Sequence, residues 1–164
     1  MSHPKETEML MAFRVRGLSP DLFSRYFAMS DAELRAAGAL RLVAQEPGMP
    51  CRVSMAHIAP GDEVVLVNYE HLPELTPYRS RHAIYVGRGS TQPYDAVDVV
   101  PEVIRTRLVS VRAFDAGHMI VDADVVDGAD SAALFERLLA NPSVSYLHVH
   151  NAKRGCYSGR VERA

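Results

Sequence analysis

The chain has no tryptophan, and its two cysteines, Cys51 and Cys156, lie far apart in sequence. Two thiols so placed exclude a disulfide framework and fit a reducing compartment. No apolar run approaches the ~20 residues needed to cross a bilayer. Lys+Arg 18 against Asp+Glu 20 gives a net charge of −2, so no bulk positive excess points to nucleic acid. The five phenylalanines and seven tyrosines are scattered as core filling, not grouped as a base-stacking platform. Cys-x-x-Cys, His-Glu-x-x-His, Gly-x-Ser-x-Gly and Gly-Lys-Ser/Thr are all missing. Their absence removes the usual sequence grounds for a redox pair, a zincin, a nucleophile elbow or a P-loop.

What is present fits one domain of ordinary size: 164 residues, 48% hydrophobic and 23% charged. The polar stretch Met1–Glu8 is unlike a secretory signal, and Pro142 disqualifies Asn141-Pro-Ser143 as a glycosylation acceptor. The cytoplasm is therefore the expected location. Residues 1–12 read as a frayed lead-in and 13–164 as a single domain.

Hydrophobic periodicity and breakers set the elements. Phe13–Arg16 alternates as a short strand. Ser19-Pro20 starts a helix with Leu22, Phe23, Tyr26 and Phe27 on one face, and Ser30-Asp-Ala-Glu33 is a capping box for a second. Leu40–Ala44 and Glu63–Tyr69 read as strands, the latter so continuously apolar that it should be central. Ala83–Val86 is a further strand, and Pro101 opens a helical turn. Leu108–Phe114 and Met119–Val126 form a hairpin, and Asp130–Ala140 is the longest helix. Val144–Asn151 is a strand, with another at 156–163. Strands in consecutive runs predict an α+β fold with a mainly antiparallel sheet and a few short helices.

Chemistry concentrates in Tyr146-Leu-His-Val-His-Asn-Ala-Lys-Arg-Gly-Cys-Tyr157. On a strand His148 and His150 project from one face, and Leu147 and Val149 take the core side. The histidines then face either solvent or a second layer. Paired imidazoles can share a metal ion, but the third ligand would have to come from His82, Cys156, Cys51 or a carboxylate. No complete ligand spacing is present, so no metal is assigned. Cys156 follows Lys153 and Arg154, and nearby cations favour thiolate. Cys156, His148 and His150 are thus the candidate catalytic residues of a Cys–His pair. Against this stands a buried cysteine acting as a small hydrophobe.

Arg52, Arg79, Arg81 and Arg154 lie where strands meet loops, and their planar forks suit carboxylate or phosphate. With His82, Asn151 and Lys153 they are the candidate ligand-binding residues. Arg79 and Arg81 share one strand face, Ser80 and His82 the other, so only one pair can point into a pocket. The alternative is surface arginines paired with Glu70, Glu74 or Asp95. Asp122-Ala-Asp-Val-Val-Asp-Gly128 is similar to a calcium loop, but its third acid is displaced and Ala133 stands at the twelfth position.

Several phrases together resemble one family: Phe13-Arg-Val-Arg-Gly-Leu18, Pro50-Cys-Arg52, Pro60-Gly-Asp-Glu-Val-Val-Leu66, Tyr78-Arg-Ser-Arg-His-Ala-Ile-Tyr85 and His148-Val-His-Asn-Ala-Lys-Arg-Gly-Cys156. The chain resembles the bacterial domain-of-unknown-function family 1203 over about residues 13–163. The resemblance implies a small single-domain protein and transfers no catalytic residue.

The residues lead to a binding domain for a small anionic molecule, with one site built from Cys51-Arg52, the segment 78–82 and the segment 148–156. A Cys–His enzyme for acyl or related group transfer is the alternative, and a homodimer built through these segments is a third reading. No cofactor is identified from the sequence, and neither nucleic acid nor membrane is an expected partner.

Overall fold

The computed structural model describes residues 11–46 and 48–164. All but two residues of the lead-in assigned to 1–12 lie outside them. Met11 packs against the main core, and the Ala12 carbonyl accepts a bond from the Ala164 N–H at 3.1 Å.

The first strand, β1 (Phe13–Arg16), is followed by a 3-10 turn at Pro20–Leu22 and helix α1 (Ser24–Phe27). The single helix expected here is interrupted at Phe23, whose φ of −120° is not helical. Phe23 is buried and meets Tyr69 edge-on at 5.8 Å, so tertiary packing overrides the local helical pattern. The capping box forms as expected at α2 (Asp31–Ala36), where Ser30 Oγ accepts the Glu33 N–H at 3.1 Å. Gly38, at φ +74°, ends that segment in the left-handed region.

Strands β2 (Leu40–Val43), β3 (Glu63–Leu72) and β4 (Ser80–Gly87) make a three-stranded antiparallel sheet in the order β2-β3-β4. The expectation that Glu63–Tyr69 is central holds within this sheet, and Val64, Val65 and Val67 are buried. Next come β5 (Asp95–Val97), α3 (Glu102–Arg105), β6 (Leu108–Phe114), β7 (Ile120–Asp127), α4 (Ser131–Leu139), β8 (Tyr146–Asn151) and β9 (Tyr157–Arg163). The larger sheet runs β5-β1-β9-β8-β6-β7, every pair antiparallel. The fold is α+β, as the sequence leads one to expect. β5 is the strand that sequence misses, because Asp-Ala-Val is too short to show alternation.

One face of the large sheet packs on α4 through Val111, Leu147, Val149, Phe135 and Leu138. The smaller sheet has its own core with α2, centred on Leu34, Val65 and Ile84. Leu72, at the end of β3, crosses to Phe114 and Tyr146, so the long β3 stitches the two sheets together. No helix among the described residues is long and apolar enough to cross a membrane.

The chain end locks α4. Arg163 donates to the Leu139 carbonyl at 3.1 and 2.7 Å, to Val144 at 2.6 Å and to Asn141 at 2.9 Å. Leu139 is the last residue of α4, so its carbonyl is an orphan of the helix C-terminus, where a cation also meets the negative end of the dipole. The other two bonds tie down the segment that leads to β8. Arg163→Ala is expected to lower stability by about 2 kcal/mol in urea unfolding. A change below about 0.5 kcal/mol would mean that water replaces the cap.

Candidate functional site

The alternation of β8 decides where the histidines go. Leu147 and Val149 enter the main core, and Tyr146, His148 and His150 project from the opposite face. That face meets a second layer, not solvent: His148 is 3% and His150 1% exposed. His71 from β3 closes over them, with ring centroids 4.9 Å from His150 and 6.1 Å from His148. Tyr157 lies parallel to His71 at 5.3 Å, and Phe114 and Tyr146 flank His148 at 5.1 Å each. The result is a seam of aromatic and imidazole rings between the sheets. His71 was not singled out from sequence; only the burial of both sheet faces at this crossing reveals it.

This environment keeps the seam uncharged. Burial pushes His148 down to about 2, helped by His150, His71, Arg160 and Arg112. Burial likewise takes His150 to about 3, although its bond to the Gly155 carbonyl works the other way. His71 falls to about 4 through burial and the nearby charges of Arg112 and His82. His150 Nδ1 carries its proton, because it donates to the Gly155 carbonyl at 2.9 Å. Its Nε2 then faces the Arg112 guanidinium at 3.5 Å. Neither β8 histidine is hydrogen-bonded to Cys156 among the described residues, so the Cys–His pair is not assembled. Among those residues, too, no three His, Cys, Asp or Glu side chains are arranged to hold a metal ion.

A second group forms where β8 ends. Gly155, at φ +79°, lets the chain reverse, and the Gly155 N–H returns to the Asn151 carbonyl at 2.8 Å. The turn raises Lys153 and Arg154 along a cavity of about 350 Å³, completed by Thr106, Arg107, Leu108 and Asn151. Asn151 Nδ2 donates to Cys156 Sγ at 3.2 Å, and its buried Oδ1 has no partner among the described residues. Lys153 and Arg154 are exposed and form no ion pair among those residues.

Arg107 is the cation that sequence reading missed. It donates to the carbonyls of Val103 (3.1 Å) and Gly48 (2.8 Å) and to His57 Nε2 (2.9 Å). His57 Nδ1 faces Glu102 at 3.1 Å, which fixes the tautomer that leaves Nε2 as an acceptor for Arg107. The His57 backbone N–H and ring hold the Glu102 carboxyl below the usual carboxylate range. The available signal was position: Arg107 immediately precedes β6, and Val109 of β6 pairs with Asn151.

Behind the cavity lies Arg52, 1% exposed. It donates to the carbonyls of Tyr157 (2.7 Å) and Pro50, and its guanidinium faces the thiols of Cys156 and Cys51. Burial lowers its pKa, and no carboxylate pairs with it among the described residues. Cys51 is fully buried. Burial pushes its thiol up, but the N–H of Gly87, the Ser90 hydroxyl and the N–H groups of Ser54 and Val53 outweigh it and lower the pKa.

Of the predicted ligand-binding residues, Arg52, Asn151, Lys153 and Arg154 therefore gather with Cys156 at one end of the large sheet. The others lie at β4. Arg79 contacts Glu70 at 3.4 Å, the surface pairing weighed as the alternative. Arg81 bonds the Asn68 side chain, and His82 Nδ1 contacts the Ala83 carbonyl at 3.0 Å. His82 neighbours the histidine seam through its effect on His71 and His150, not the basic cavity.

The fold and its two polar centres define an α+β domain with a neutral histidine seam and a separate cationic cavity. The family described as Protein of unknown function (DUF1203) matches residues 48–163, and the chain belongs to it. The matched span begins later than the 13–163 of the sequence resemblance and takes in β3 to β9, hence both centres. No curated protein and no solved structure matches the chain.

Proposed function

We propose that this domain binds a small anionic molecule in the cavity bordered by Arg107, Lys153 and Arg154. One observation carries the reading: three cations converge on one concave wall whose lining side chains include no carboxylate. Arg107 is held by two carbonyls and His57, so little side-chain entropy is lost when it meets a ligand. Guanidinium forks and an ammonium then supply charge-assisted bonds, each stronger than a neutral one. The group-transfer alternative has weaker support, because Cys156 meets Asn151 and Arg52 instead of a histidine.

The test is a calorimetric and thermal-shift screen of phosphorylated and carboxylated metabolites. A binder is expected to lose about tenfold in affinity on Arg154→Gln and again on Lys153→Gln, roughly one charge-assisted bond each. Both side chains are exposed, so the variants should stay folded. A binder unaffected by both changes would place the ligand elsewhere, and silence across a broad panel would end the reading.

A further inference from the structure

The charge around the cavity is more than one negative charge can satisfy. Three cations line it, and a fourth, Arg52, lies buried behind Cys156 and close enough to Arg107 for the two charges to repel. A guanidinium that is 1% exposed and lacks a carboxylate partner is costly to keep. Glu102, whose charge reaches Arg107, is hydrogen-bonded by His57 at 3.1 Å and is not part of the cavity lining, so Lys153 and Arg154 are the cations it leaves unmatched. Lys153 and Arg154 are likewise without acidic partners among the described residues.

We infer that the anion is the dianionic phosphomonoester of a small molecule, not a carboxylate. The inference rests on the anion-binding reading above and narrows its ligand class. A phosphate dianion offers three acceptor oxygens, enough to meet the Arg154 fork, the Lys153 ammonium and the Arg107 N–H groups not already given to Val103, Gly48 and His57. A carboxylate offers two oxygens and half the charge. The volume of about 350 Å³ suits a small phosphomonoester and falls at the small end of ligand sites.

The experiment compares glycerol phosphate with glycerate, which shares the hydroxyls and differs in the anionic group. Titrations are run by calorimetry at matched ionic strength, at pH 7.5 and 5.5, with circular dichroism confirming the fold at both. Glycerol phosphate is expected to bind at least about tenfold more tightly at pH 7.5. Its advantage should shrink at pH 5.5, because a phosphomonoester loses its second charge near pH ~6. The titratable and charged groups around the cavity are His57, Glu102, Cys156, Arg52, Arg107, Lys153 and Arg154. A proton gained by any of them adds positive charge and would strengthen anion binding at low pH, the opposite sign. Lys153→Gln should weaken glycerol phosphate more than glycerate. Equal affinities, or an advantage that does not shrink with pH, would overturn the dianion while leaving an anion site in place. Failure of both probes to bind, with other anions also silent, would remove the site itself.

Discussion

Acidification from pH 7 to pH 4.5 is expected to strip most of the stability from this fold, well before carboxylate protonation becomes the main cause. His148, His150 and His71 titrate near 2, 3 and 4 in the folded protein, against about 6.5 in an unfolded chain. Below pH ~6.5 the unfolded state takes up protons that the native seam refuses, so stability falls as pH falls. The contribution is full above the unfolded value and disappears on the way down to the folded ones. Each fully shifted histidine loses about 1.4 kcal/mol per pH unit, so His148 and His150 together lose about 3. Over the two units below pH 6.5 that comes to about 6 kcal/mol, comparable to the stability of a domain at the low end of the usual ~5–15 kcal/mol. His71 is less buried and adds less. Arg112 and Arg160 face the seam and oppose any proton there, and Glu70, which favours one on His71, stands at its edge.

The measurement is the urea midpoint and Tm at half-unit steps from pH 7.5 to 4. His148→Phe keeps a ring of similar shape among Phe114, Tyr146 and Tyr157 and removes one titrating group. It should flatten the slope between pH 6.5 and 4.5 by about 1.4 kcal/mol per unit. Wild-type stability that stays level until pH 4.5 would show that the seam accepts protons, and that the rings are wetter than their burial implies.

The fold was more legible than the site, for reasons visible in particular residues. β3 declared itself by a dense apolar run, β8 by alternation and Ser30-Asp-Ala-Glu33 by a local capping pattern, so short-range information sufficed. β5 has three residues and no pattern, and Phe23 sits outside its helix because Tyr69, distant in sequence, packs on it. The segment 148–156 was correctly marked as chemically dense, and alternation placed His148 and His150 on one face. What sequence could not supply was the partner from another strand: His71 from β3 for the histidines, Arg107 from the start of β6 for Lys153 and Arg154. Arg107 arrives through the adjacency of β8 and β6, and His71 through the packing of one sheet on the other, and no residue spacing encodes either. The arginines at 79 and 81 looked equivalent to Arg52 and Arg154 in sequence. Only the pairing of β3 with β4 shows that Glu70 and Asn68 already face them.

Gly128→Ala is expected to destabilise the protein by about 3 kcal/mol or more and to abolish ligand binding at the cavity. A Cβ at this position would lie 1.7 Å from the Ile104 carbonyl oxygen and 2.6 Å from that of Arg107. Both are backbone atoms, so no rotamer change relieves the clash. The chain must move, and two bonds resist that. The Gly128 N–H donates to the Arg107 carbonyl at 2.7 Å, and Ser131 Oγ donates to the Gly128 carbonyl at 2.7 Å. The strain therefore passes into the end of α3, whose Val103 and Ile104 are fully buried, and into Arg107 itself. Displacing Arg107 breaks its bonds to His57 and Gly48 and removes the fixed cation of the wall. Gly89→Ala is the control: a Cβ there meets nothing within 4 Å, and stability should change by less than about 0.5 kcal/mol. Urea unfolding of both variants gives the first number, and calorimetry with glycerol phosphate on the folded fraction gives the second. Native-like stability in Gly128→Ala would mean that α3 slides freely. Retained affinity in a destabilised variant would mean that Lys153 and Arg154 hold the ligand without Arg107.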